Sequence, residues 1–395
     1  MVNSLMSYPG IESIYLMKLK EINGEFKVLF SSYLGGSWID YPFGGCTADS
    51  SGNAYVAGTT YSMDFPLKNP IKANPDGNEI FITKFSDPPL PISINDMDDS
   101  TQSDLLMVDG DGNIIGGLLE NSVPQSFGYL LTANPAAGWT VNATGDTNGD
   151  NKADLLLYNT TTGEYRIATL DGASVLNDSV VFSIDPVIGL EPRGTGDFDG
   201  NGEDEILIYQ PSTGIVALAY LAGGAFSSFE IVTTLDTAND WALVDAADFT
   251  GDAKTDLLIQ NTVTGETAVI EMDGSTAVNT TPVFTLDPVM GLSIVTTADF
   301  NGDGKTDILA MHTSGALAVL EMDGTTFQSL YVPGGLLPNW QLVNAGNYDG
   351  INKADFLFHD PTTGELITGI QDGATITTYN TVLNFGPASG WTFPH

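Results

Sequence analysis

The chain has 395 residues, and its 50 Asp and Glu against 12 Lys and Arg give a net charge of −38. Its 42% hydrophobic content can fill a core despite that charge, whereas so few cations among so many anions exclude nucleic acid and anionic membrane surfaces as partners. A single cysteine, Cys46, excludes an internal disulfide, and no apolar run reaches the roughly 18 residues of a membrane span, so membrane insertion is not expected. In chain order, residues 1–15 lack the basic-then-apolar pattern of an export leader. Strands are predicted at 14–20, 26–33, 45–49, 54–59 and 80–85, joined by Asn23-Gly24, a turn at 51–53 and a long Pro-containing loop at 61–78. Pro88, Pro89 and Pro91 mark the passage to a second kind of sequence.

That second kind repeats. A nine-residue acidic segment begins at Asp96, Asp146, Asp197, Asp248, Asp299 and Asn347, at intervals of 50, 51, 51, 51 and 48 residues. So even a period defines a repeat architecture. Each segment runs into a short apolar stretch, as at 155–158, 206–209, 257–259 and 356–358, whose length suits a strand and not a helix. A turn at Gly163, Gly214, Gly265, Gly315 or Gly364 follows, then a third strand. An Asp-Gly turn at Gly172, Gly274, Gly324 or Gly373 leads to a fourth, more variable strand. Next comes a segment led by Trp139, Trp241 or Trp340, with Leu190 and Leu292 in the other copies, just before the following acidic loop.

Four short antiparallel strands per period give an all-β chain, a β-propeller over residues 1–395 with seven blades, eight being the alternative. Residues 390–395 repeat the first strand without its loop, and pairing with N-terminal strands would close the ring. Residues 1–88 then supply about one blade plus closure strands. The recurring Trp139, Trp241, Trp340 and Trp391 are expected in blade-to-blade packing. Trp38, beside Tyr33, Tyr41 and Phe43, is expected either at a ligand-contacting rim or in closure packing.

The run Asp299-Phe-Asn-Gly-Asp-Gly-Lys-Thr-Asp-Ile-Leu309, followed by Gly315-Ala-Leu-Ala-Val-Leu-Glu-Met-Asp-Gly-Thr325, resembles FG-GAP repeats, also called VCBS repeats, over about residues 89–395. Ser31-Ser-Tyr-Leu-Gly-Gly36, Asp49-Ser-Ser-Gly-Asn-Ala-Tyr-Val-Ala-Gly58 and Asp64-Phe-Pro66 resemble the bacterial SBBP propeller repeat over about residues 11–86. These resemblances imply a secreted or cell-surface bacterial propeller, and integrin-like relatives imply calcium in the acidic loops.

Oxygen-bearing side chains at loop positions 1, 3, 5 and 9, with the carbonyl of position 7, can wrap a hard cation. The candidate ligands are Asp96, Asp98, Ser100 and Asp104; Asp146, Asn148, Asp150 and Asp154; Asp197, Asp199, Asn201 and Glu205; Asp248, Thr250, Asp252 and Asp256; and Asp299, Asn301, Asp303 and Asp307. Asp99 replaces the usual Gly in the first loop. In the sixth, Asn347 and Ile351 leave only Asp349 and Asp355, and no tight site is expected. The six segments hold 20 of the 50 acids, and such crowding costs energy that a cation removes. Several structural calcium ions are therefore expected, with metal-free Asp/Gly turns as the alternative.

Catalysis has little support. His312 and His359 are expected at surface loop tips, no Gly-x-Ser-x-Gly elbow is present, and Gly304-Lys305-Thr306 lies among acids that repel phosphate. The expectation is a non-catalytic, extracellular or cell-surface module that binds protein or glycan at its blade loops. A carbohydrate-binding lectin is the nearest alternative and a polysaccharide-degrading enzyme the more distant one.

Overall fold

The structure, a computed structural model, describes residues 14–22, 25–34, 37–48, 54–63, 65, 79–85, 96–336, 339–351, 353–386 and 391–393. The Pro88–Pro91 junction, the Asn23-Gly24 and 51–53 turns, most of the 61–78 loop and His395 lie outside these residues. The chain divides into two compact units, residues 1–89 with 287–292, and residues 90–286 with 293–395.

The first unit holds a hairpin of β1 (Ile14–Ile22) and β2 (Glu25–Leu34) and a three-stranded sheet of β3 (Asp40–Ala48), β4 (Ala54–Thr60) and β5 (Glu79–Phe85). All five overlap the predicted strands; β3 departs most, beginning five residues earlier than expected and ending at Ala48. One face of the sheet is buried through Val56 and Phe81, which cluster with Ile14, Leu34 and Phe65. Below the start of β3, Ser62 donates to Asp40 Oδ2 at 3.0 Å and accepts from the Trp38 N–H at 2.9 Å. Trp38 itself is 54% exposed, so its side chain is not packed into the core of this unit.

The second unit is the repeat array. Its first sheet contains β6 (Leu105–Val108), β7 (Asn113–Glu120) and β8 (Val123–Thr132). The second contains β9 (Trp139–Gly145), β10 (Asp154–Asn159), β11 (Glu164–Leu170) and β12 (Val175–Ser183). The third contains β13 (Glu191–Gly196), β14 (Glu205–Gln210), β15 (Ile215–Ala222) and β16 (Ala225–Thr234). The fourth contains β17 (Trp241–Ala247), β18 (Asp256–Asn261), β19 (Glu266–Asp273) and β20 (Thr276–Thr285). The fifth contains β21 (Leu292–Ala298), β22 (Asp307–His312), β23 (Leu317–Asp323) and β24 (Thr326–Tyr331). The sixth contains β25 (Gln341–Gly346), β26 (Asp355–Asp360), β27 (Glu365–Asp372) and β28 (Thr375–Asn384). With the β3–β5 sheet of the first unit, the described residues hold seven sheets of three or more strands, six of them in this array.

Second strands read as unbroken apolar runs because each is buried on both faces. Leu155 and Leu157 pack toward the first sheet beside Leu106 and Ile114, while Leu156 packs toward the third beside Ile206 and Ile208. The same sandwiching joins the third sheet to the fourth and the fifth to the sixth. Leu105 and Met107 of the first sheet then cluster with Tyr348, Leu357 and Leu366 of the sixth. The array therefore closes on itself. Trp139, Trp241, Trp340 and Trp391 are half-buried against these clusters, as their recurrence predicts.

Closure differs from expectation in its partner. The C-terminal segment does complete a sheet, but Thr392 pairs with Val108 of β6, not with strands of residues 1–88. Two backbone hydrogen bonds, of 2.9 and 2.8 Å, hold the pair. The first repeat has three strands of its own among the described residues, and the orphan segment covers the open edge of β6. His359 is also corrected: it is a buried residue of β26 whose ring lies 4.8 Å from Phe393 of the closing segment, not a loop-tip residue.

Candidate metal centre

The first acidic segment leads into β6 and each of the other five links the first and second strands of its sheet, and one carboxylate ties each segment down. The position-9 acids Asp104, Asp154, Glu205, Asp256, Asp307 and Asp355 are all buried, with at most 1% exposure. Each accepts the position-2 backbone N–H, from Met97, Thr147, Phe198, Phe249, Phe300 and Tyr348, at 2.8–3.2 Å. The five aspartates also accept an N–H from the third strand, at Leu119, Leu170, Met272, Met322 and Gln371. Strand register shifts at each of those residues, and the bulge turns the N–H away from the ladder and toward the carboxylate. Glu205 is different: its Oε1 is buried and has no hydrogen-bond partner.

Position 1 organises the rest of the loop. Asp197 accepts from Gly200, Asn201 and Gly202 at 2.7–3.1 Å, and Asp146 and Asp248 accept from the corresponding N–H groups. This wrap needs left-handed backbone at position 4, where Gly200 has φ 76° and Asp99 takes 62° in the first loop. Position-5 oxygens of Asp150, Asn201, Asp252 and Asp303 each cap the N–H two residues on.

The loops are also linked to one another. The position-8 N–H of each loop donates to the position-1 carbonyl of the loop before it: Ala153 to Asp96, Asp204 to Asp146, Thr255 to Asp197, Thr306 to Asp248 and Ala354 to Asp299. Ser103 completes the circuit by donating to Asn347, and all six bonds measure 2.6–3.0 Å. The acidic loops thus form one hydrogen-bonded ring of six.

Two loops bring three carboxylates together, Asp96 with Asp98 and Asp104, and Asp197 with Asp199 and Glu205, with ligand oxygens inside 4.8 Å of one another. Where position 3 is Asn, its amide turns onto the buried acid instead, from Asn148 to Asp154 at 3.0 Å and from Asn301 to Asp307 at 3.4 Å. Thr250 leaves its hydroxyl oxygen buried without a partner. Burial raises the carboxyl groups above their ordinary range, with neighbouring loop acids adding to the effect: to about 7 for Asp104 and Asp355, about 6 for Asp154, Asp256 and Asp307, and about 8 for Glu205. Asp204 is raised to about 7 for the same reasons. Oxygens alone, clustered and costly to ionise, suit a hard cation such as calcium; no Cys or His offers a zinc site in these loops.

Sequence reasoning missed the lysines. Lys152, Lys254 and Lys305, at position 7, pair with Asp171, Asp273 and Asp323 of the Asp-Gly turns, and Lys254 and Lys305 lie over Gly200 and Gly251 of the preceding loops. Their repeated spacing to the turn aspartates was the available signal. The second unit exposes Phe127, Tyr129 and Tyr379 among other rings, and the niche lined by Trp340, Phe358 and Tyr379 holds about 10 Å³, one water's worth. Trp38, Tyr41, Tyr61 and Met63 of the first unit are all exposed.

A family model for an FG-GAP-like repeat matches residues 197–259, and one for the SBBP β-propeller repeat matches residues 29–66. None of the curated proteins matches the sequence significantly. Among solved structures the chain is similar to the Photorhabdus luminescens Tc holotoxin pore, with 12% identity and a TM-score of 0.46, over 88% of this chain and 17% of that one. It is similar to a chain of the nidogen/laminin complex, with 14% identity and a TM-score of 0.43, over 67% of this chain and 88% of that one. A third is the dihydro-heme d1 dehydrogenase NirN, with 12% identity and a TM-score of 0.38, over 74% and 65% of the two chains. Likenesses of this size say nothing about what the chain binds. The chain carries an FG-GAP-like repeat and an SBBP-type β-propeller repeat, the two kinds its residues resemble.

Proposed function

We propose that the chain is a non-catalytic, extracellular binding or adhesion module, a propeller whose acidic loops hold structural calcium and whose blade loops meet a protein or glycan. The observation that supports this reading best is the convergence of Asp197, Asp199 and Glu205 within a ring of loops that is otherwise internally hydrogen-bonded. Ionised carboxylates so placed repel one another, and a divalent cation converts that repulsion into attraction. Millimolar calcium outside cells would fill even modest sites of this kind.

Thermal unfolding in excess EDTA, in millimolar calcium and in millimolar magnesium tests it. Calcium should raise the melting temperature by mass action and magnesium should not. Equal melting in all three, with no metal in the purified protein, would overturn the calcium reading. The glycan alternative draws on the first unit, where Trp38, Tyr41 and Tyr61 offer exposed rings for stacking on sugars. Trp38→Ala should then weaken retention on a neutral polysaccharide gel; unchanged retention would remove that alternative.

A further inference from the structure

We propose that the loop at 197–205 is a calcium site of a different class from the other loops, the tightest in the ring, and that Glu205 is the residue that sets its affinity. The inference rests on the calcium reading above and adds a ranking that the repeated sequence does not suggest.

Three features set this loop apart. In the five other loops the position-9 aspartate has one oxygen on the position-2 N–H and the other on a third-strand N–H, so both are already engaged. Glu205 has one more methylene; Oε2 accepts from Phe198 at 2.9 Å, the fully buried Oε1 is left without a partner, and the carboxylate lies in a cluster with those of Asp197 and Asp199. A buried carboxylate oxygen with nothing to accept is costly unless a cation meets it. Second, Asp199 cannot do what Asn148 and Asn301 do, because a carboxylate has no N–H to lay on its neighbour. Third, position 7 is Glu203 where four other loops carry lysine, and Lys254, which lies over Gly200, is paired with Asp273. The loop at 96–104 also gathers three carboxylates, but both oxygens of Asp104 are bonded.

Calcium titration of the metal-stripped full chain by calorimetry should resolve one equivalent bound about tenfold or more tighter than the rest, as ligand charge and free oxygens dictate. Glu205→Gln and Asp199→Asn should each abolish that tight equivalent and leave the weaker ones. Glu205→Asp should move it into the weak class. Terbium offers a positional readout: Tyr220 and Asp199 both pack against Gly274, so the first equivalent of terbium should luminesce through Tyr220, and Tyr220→Phe should dim it at unchanged calcium affinity. The proposal is overturned if all bound calcium falls in one affinity class, or if Asp299→Asn removes the tightest equivalent while Glu205→Gln does not. Absence of any calcium binding would instead overturn the reading on which it rests.

Discussion

The loops at 197–205 and 347–355 have the same scaffold and opposite chemistry. Both begin at a ring carbonyl that accepts from the next loop, from Thr255 at Asp197 and from Ser103 at Asn347. Both end on a buried acid that holds the position-2 N–H. Yet the first gathers five acids and the second keeps two, with Ile351, 66% exposed, standing where a ligand would be. The difference teaches that an acidic loop here does two separable jobs. The position-8 N–H and position-1 carbonyl build the ring and the position-9 acid anchors the loop, whereas the side chains at positions 1, 3 and 5, joined by Glu205 in the first of these loops, create the demand for a cation.

The comparison breaks most visibly if the buried acid of the sixth loop can be removed at little cost. Asp355→Ala leaves the Tyr348 and Gln371 N–H groups unpaired in the core, and at roughly 1–3 kcal/mol for each stranded group the variant should lose about 3 kcal/mol. The loss should be the same in EDTA and in calcium, measured by chemical denaturation. A loss that calcium abolishes would mean that the sixth loop is a metal site after all.

Proton binding sharpens the same division with a smaller effect. The position-9 carboxyl groups have folded pKa values of about 6 to 8, above the unfolded range near 4, so between about pH 4 and 8 the folded chain binds more protons than the unfolded one. Stability of the metal-free protein must therefore fall as pH rises through that window. Melting in EDTA should be higher at pH 5 than at pH 8, by on the order of 5 °C. Calcium should flatten the slope by favouring the ionised ligands, and Asp355→Asn should reduce what remains, the buried Asp204 and Asp245 keeping their share. A melting temperature that rises with pH in EDTA would contradict the burial assigned to these acids.

Sequence and structure agree where period and side-chain pattern carry the information. The loops, the doubly buried second strands and the Asp-Gly turns all follow from residue types at fixed spacing. Agreement fails where backbone atoms or distant partners decide. The circuit from Ser103 to Asn347 is made of main-chain groups and leaves no mark on composition. The segment at 391–393 announces itself as a strand, but three residues cannot name Val108 as their partner. His359 was misread because turn-proximal polar residues are usually exposed, whereas β26 is buried along its whole length, both faces being packed. The special standing of Glu205 was equally hidden. In sequence it is a conservative change from Asp; in the fold, the added methylene leaves one oxygen without its strand partner.

The smallest expected effect tests whether cation demand can be installed on the sixth scaffold without disturbing it. Ile351→Asp restores an oxygen at position 5, giving Asn347, Asp349, the new carboxylate and Asp355. Asn347 should stay, because its Nδ2 donates to the Thr101 carbonyl at 2.7 Å across the joint where the ring closes. A carboxylate there would face that carbonyl with no proton to give. Since Ile351 is exposed, the substitution should cost little in EDTA. With a weak site of about millimolar affinity, a few millimolar calcium should then stabilise the variant by about 1 kcal/mol relative to the parent. Equal calcium response in parent and variant would show that position 1 must carry a charge before position 5 can matter, and would assign the failure of the sixth loop to Asn347.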